Sequence, residues 1–154
     1  MKQQILTLRT RIYIIYNSFP LLTAETGVGR NISIAITAIE KASLWASKCL
    51  EFVELNPHVP ATDAGYTEIP SPPKENFMSN NNESFSEGWD KISKIKYFCH
   101  CLDMEISGVY KIIEEHDASA PNGLQLHYAA VETWKNLVES KMYLGFILSN
   151  QINK

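Results

Sequence analysis

The sequence predicts an all-α fold: two helical pairs, about four helices in all, joined by a long Pro/Asn-rich connection. Three observations carry this. Apolar residues recur at steps of three and four in four separate stretches, which is the period of a buried helix face. One region, 56–87, has no such period and holds five of the seven prolines. The 154 residues are enough for one domain with a real core, and 45% of them are apolar. The predicted organisation is a single helical domain, 1–154, with one helical pair over 1–55, a loop or strap over 56–87 and a second pair over 88–154.

In the first helix, expected over 4–19, Ile5, Leu8, Ile12, Ile15 and Phe19 build one stripe. The β-branched and aromatic run "IYIIY" would also suit a strand, but the stripe extends over four turns and favours helix. Pro20 is expected to end it. A loop through "PLLTAETGVGR" follows, with Asn31 or Ser33 as candidate caps for a second helix reaching Glu54. That helix carries Ile32, Ala35, Ile39, Ala42, Ala46, Cys49 and Val53 on one side, and Ile36, Leu44, Trp45 and Leu50 widen the face. So many small apolar residues require close neighbours on more than one side, in the centre of the domain or at an oligomer contact. Within 56–87, Tyr66, Phe77 and Phe85 suggest packing or closure over something.

The third helix is expected over 86–116, with Ile92, Ile95, Cys99, Leu102, Ile106, Val109 and Ile113 inward. "HDASAPNG" reads as a turn. The fourth, about 124–152, places Leu126, Ala130, Trp134, Leu137, Val138, Met142, Leu148 and Ile152 on or near one face. "NISIAITAIE" and "GLQLHYAAVE" align with a shared glutamate, Glu40 against Glu132. This is either a trace of duplication or the similarity of any two amphipathic helices.

Composition narrows the function classes. A net charge of -3 and a pI near 5.8 argue against a DNA or RNA binder, which needs a broad positive field. They leave room for one small anionic ligand. Three cysteines form no disulfide framework and suit a reducing compartment. The N-terminal segment is interrupted by Arg9 and Arg11 and does not form a secretory leader, and no stretch approaches a membrane span. A cytoplasmic location is expected.

No catalytic group, metal site or cofactor is expected. Cys99, His100 and Cys101 are adjacent on a helix and point about 100° apart, which is wrong for a zinc corner. No phosphate-binding loop or dinucleotide fingerprint is present. The positive charge near the N-terminus is more informative. Arg9 and Tyr13, four residues apart, share a helix face, and Arg11 points elsewhere. Such a face can clamp a phosphate and stack a base, or be an ordinary surface. Arg30 follows a flexible turn at a helix start, where free amides and the dipole favour an anion. A cation there calls for an anion or a carboxylate such as Glu25.

The stretch "GVGRNISIAITAIEKASLWASKCLEF" resembles the core motif of the phage anti-CBASS sponge family, through Arg30, Ser33, Ala35, Thr37, Glu40, Trp45 and Ala46. The preceding helix, with Arg9 and Tyr13, also resembles that family's first helix. Together the similarity covers about residues 6–53. Asn31 stands where the family pattern has an acidic residue, and the strap and second helical pair are additional. The resemblance implies a non-enzymatic sponge for cyclic di- or tri-nucleotide immune signals, acting in the host bacterial cytoplasm. It also implies a compact homo-oligomer, typically a hexamer, with pockets at subunit interfaces. By the same resemblance Tyr13 stacks a base, Arg9, Arg11 or Arg30 holds phosphates, and Thr37 hydrogen-bonds within the pocket; Asn31, beside Arg30 at the helix mouth, is a ligand candidate by position. Trp45 is expected to anchor helix packing, and Tyr128 and Lys135 are candidates for a second pocket. The alternative is a helical adaptor or inhibitor that binds a protein partner through the third helix or the acidic edge near Glu114. A sponge predicts exposed, converging Arg9, Tyr13 and Arg30; an adaptor predicts an exposed apolar groove with the arginines scattered.

Overall fold

The computed structural model describes residues 1–26, 29–54 and 90–152. The 56–87 connection, with Tyr66, Phe77 and Phe85, therefore lies outside the described residues, as does the side chain of Glu25. Four helices are present and no strand occurs among the described residues: α1 (Lys2–Thr26), α2 (Arg30–Glu54), α3 (Lys91–Glu115) and α4 (Gly123–Ile152). Around the bundle the order is α1, α2, α4, α3, with each helix packed on two neighbours and α2 most extensively on α4. Phe19 meets Phe98, Gln4 meets Glu115 and Ser140 meets Ala35, so the neighbours run antiparallel. The directions are up, down, down, up. Residues 55–89 therefore join opposite ends of the bundle, about 37 Å apart for helices of this length.

α1 runs through Pro20 rather than ending there. The stripe continues past it to Leu22, which is fully buried beside Phe19. Burying a leucine contributes about 1.5–3 kcal/mol, comparable with the cost of a helix proline. The exposed ring of Pro20 faces outward, away from that stripe.

α2 begins at Arg30, with Gly29 O accepting from Ser33 N at 2.9 Å. Neither Asn31 nor Ser33 is the cap. Ala35, Ala38, Ala42 and Ala46 are buried, and α2 is indeed flanked on two sides. Opposite them lie Ala129, Ala130 and the Ser140 hydroxyl, which donates to Ala35 O at 2.9 Å. Small side chains bring the two backbones close enough for that bond. Cys49, also in this seam, sits 4.0 Å from Thr133 Oγ1, and burial pushes its thiol up to about 12.

α3 starts later than residue 86. Asp90 has extended dihedrals and accepts from Ser93 N at 2.8 Å, an N-cap that sets the first helical residue at Lys91. Its buried face is also turned from the expected stripe. Ile95, Phe98, Leu102, Val109 and Ile112 are buried, together with Lys94 and Glu105. Ile92, Cys99, Ile106 and Ile113 flank this face and are only half-buried. Phe98 takes the place expected for Cys99 because its ring packs on Phe19, centroids 4.9 Å apart.

The α3–α4 turn forms as expected. Asp117 accepts from both the amide and the hydroxyl of Ser119, which holds its carboxyl below the usual range. Asn122 adopts φ 63°, a left-handed conformation that asparagine tolerates. In α4, Met142 is exposed rather than inward. The aligned α2 and α4 segments do not share a burial pattern: Ile32 is buried whereas the matching Leu124 is exposed.

Candidate functional site

The helix register of α2 puts Lys41, Leu44, Trp45 and Lys48 on one face at steps of three and four, with the buried Glu51 at its edge. Together with Ser47 they line a cavity of about 470 Å³. A groove continues from it over Trp45, Lys48 and Phe52 to Leu124, Gln125 and Tyr128 at the start of α4. Trp45 and Tyr128 meet edge to face, centroids 5.4 Å apart. Leu44, Leu124 and Tyr128 are 58%, 72% and 59% exposed. This is a continuous aromatic and aliphatic surface across the α2/α4 seam, with lysines along it.

The two lysines differ. Lys41 is exposed and also lines a neighbouring cleft of about 230 Å³ with Ser33, Thr37 and Glu139. The Lys48 ammonium lies 3.1 Å from Glu51 Oε2. Glu51 is buried, and that oxygen accepts no hydrogen bond among the described residues, so the ammonium compensates it by charge rather than by an aligned bond.

Arg9 backs this region from α1. Its Nε donates to Ser47 Oγ at 3.1 Å, and the Ser47 hydroxyl in turn donates to Ser43 O at 3.0 Å. The guanidinium carbon sits 5.8 Å from the Tyr13 ring centre, so Arg9 and Tyr13 are together as the i, i+4 spacing implies. Arg9 is only 6% exposed, however, and burial pulls its pKa down, with Tyr13 opposing. The exposure expected of a phosphate clamp is not found at this residue. Its long side chain reaches across to α2 and is used there.

The other sequence-predicted residues occupy different places. Arg11 faces the α1/α3 seam, 4.0 Å from Glu105 Oε1. Arg30, the first residue of α2, is exposed, and Asn31 beside it is half-buried. Thr37 is exposed and donates to Ser33 O at 3.0 Å. Arg11 lies on the α1/α3 side, whereas Arg30 and Thr37, one heptad apart, share a face of α2. Lys135 pairs with Glu132 at 3.3 Å and is not among the residues that line the groove at Tyr128.

Sequence reasoning missed Lys41 and Lys48 as members of a site and treated Trp45 only as a packing anchor. The signal was present as Lys41, Leu44, Trp45, Lys48, a helical face too apolar for solvent. Among the described residues no group of three metal-ligating side chains occurs, and no helix is long and apolar enough to cross a membrane. The thiols of Cys99 and Cys101 are each pushed up to about 11, chiefly by burial. Thiols that stay protonated at neutral pH are poor nucleophiles. No protein-family model, curated protein or solved structure matches this chain.

Proposed function

We propose that the protein sequesters a cyclic di- or tri-nucleotide immune signal in the bacterial cytoplasm, without turning it over, as a homo-oligomer. The observation that supports this reading most is the α2 cavity. It puts the Trp45 ring between two lysines one heptad apart, with Arg9 hydrogen-bonded to the wall residue Ser47. An aromatic face takes a base, at roughly 1–3 kcal/mol per stack, and the exposed Lys41 ammonium takes a phosphate, while Lys48 balances Glu51. A volume near 470 Å³ lies within the roughly 300–1,000 Å³ of small-ligand sites. The similarity of α1 and α2 to the anti-CBASS sponges points the same way. In that reading Thr37 contributes from the cleft that shares Lys41, and Arg30 and Asn31 extend the site at the start of α2 or toward a second copy of the chain.

One observation favours the alternative, an adaptor that binds a protein partner. The groove running on to Leu124 and Tyr128 is largely apolar, and the arginines within one chain are scattered.

Native mass spectrometry with a panel of cyclic di- and tri-nucleotides separates the two. The sponge reading expects an oligomer that retains nucleotide, and weaker retention in Lys41→Ala and Trp45→Ala. A monomer that retains nothing from the panel overturns it and leaves the adaptor.

A further inference from the structure

The α1/α3 seam, on the side of the bundle opposite the α2/α4 groove, holds a second cleft of about 320 Å³. Its floor is Glu105, a carboxylate whose side chain is 7% exposed. The nearest cation to that carboxylate is Arg11, 4.0 Å away and too far for a hydrogen bond, and the Cys101 thiol lies within its electrostatic reach. Glu105 lines the cleft, and a carboxylate there can accept hydrogen bonds from a ligand's donors. At the rim stand the Arg11 guanidinium, itself 55% exposed, and the exposed Lys111. Gly108, on the wall, has nothing within 4 Å of where a Cβ would be. That leaves a bare strip of helix beside the exposed Met104 side chain.

These features restrict the occupant. Two oxygens of one carboxylate are best satisfied by two parallel N–H donors, which guanidines, amidines and the guanine edge offer. Arg11 and Lys111 repel the first two, which are cations, and attract a phosphate. A glycine strip and a thioether suit a flat ring. We propose that the α1/α3 cleft binds a guanine nucleotide, with Glu105 accepting from N1–H and the 2-amino group and Arg11 and Lys111 holding the phosphate. Adenine presents one donor and one acceptor on the corresponding edge and leaves a carboxylate oxygen facing a lone pair.

The site is separate from the α2 cavity and stands or falls independently of the sponge reading. The test is calorimetric titration of the full chain with GMP, inosine monophosphate and AMP at pH 8, where Glu105 is ionised. Affinity should fall in that order, because inosine lacks the 2-amino donor. Glu105→Gln should weaken GMP at least about tenfold, as expected for a lost charge-assisted bond, and leave AMP unchanged. Gly108→Leu places its Cβ in open space and should abolish GMP binding while far-UV circular dichroism stays native. Equal binding of GMP and AMP overturns the proposal, and so does undiminished GMP binding in either variant. No saturable GMP binding overturns it as well.

Discussion

Replacing Glu105 by glutamine should make the protein more stable, and the gain should depend on pH in a defined window. Burial on α3 raises the Glu105 carboxyl from its ordinary 4.5 to about 7, with Arg11 only partly offsetting this. The proton is therefore held more tightly in the folded chain than in the unfolded one. Below pH 4.5 both states are protonated and ionisation costs nothing. As pH rises from 4.5 to 7 the unfolded chain ionises first, and stability falls by about 1.4 kcal/mol per pH unit. Above pH 7 the loss is complete, on the order of 3 kcal/mol. Glutamine has the same shape and no proton to lose. Urea unfolding followed by circular dichroism should show the Glu105→Gln stability difference growing by about 3 kcal/mol between pH 4.5 and pH 8. Arg11→Ala should enlarge the wild-type loss and carry it to higher pH at the same slope, since Arg11 is the cation that lowers the carboxyl. A difference that stays flat across that window would falsify the account of Glu105 as a buried, poorly compensated charge.

Other perturbations test the packing. Pro20→Ala restores an amide to the middle of α1 and should stabilise by up to about 3 kcal/mol, read as a higher Tm; a lower Tm would mean the helix does not continue to Thr26 in solution. Phe98→Ala removes a fully buried ring from its contact with Phe19 and should cost about 3–5 kcal/mol in chemical denaturation. Gly123→Ala should cost about 1–3 kcal/mol, because its Cβ would meet Asp117 O at 2.5 Å and Ala118 O at 2.6 Å, both backbone atoms; an unchanged midpoint would refute the close turn.

The periodic residues made the helices legible, and the polar ones hid their details. Ile5, Leu8, Ile12, Ile15 and Phe19 mark α1 because each contributes burial to one face. Leu22 is part of the same face, but a proline two residues earlier outweighs it in any local reading. Counting apolar residues on α3 selects Cys99 and Ile113, since the true inward face includes Lys94 and Glu105, which burial patterns count against. Trp45 and Tyr128 come together only through the α2/α4 seam, and nothing local in either helix announces the other. The Arg9–Tyr13 pair was readable because it lies within one helix. Arg9's burial was not, because its hydrogen bond goes to Ser47 on a different one.

The up, down, down, up arrangement has a consequence for how the chain assembles. Only a few residues separate α1 from α2 and α3 from α4, so either pair forms from contacts near in sequence. The widest seam, α2 on α4, is non-local and waits for the two hairpins to meet. Tethering by residues 55–89 makes that meeting intramolecular, and the closure cost grows only with the logarithm of tether length. A chain cut within 55–89 should therefore still reach the same bundle from two fragments, but refolding would become second order and depend on concentration. Intact chains at high concentration have the same option, each lending a hairpin to its neighbour.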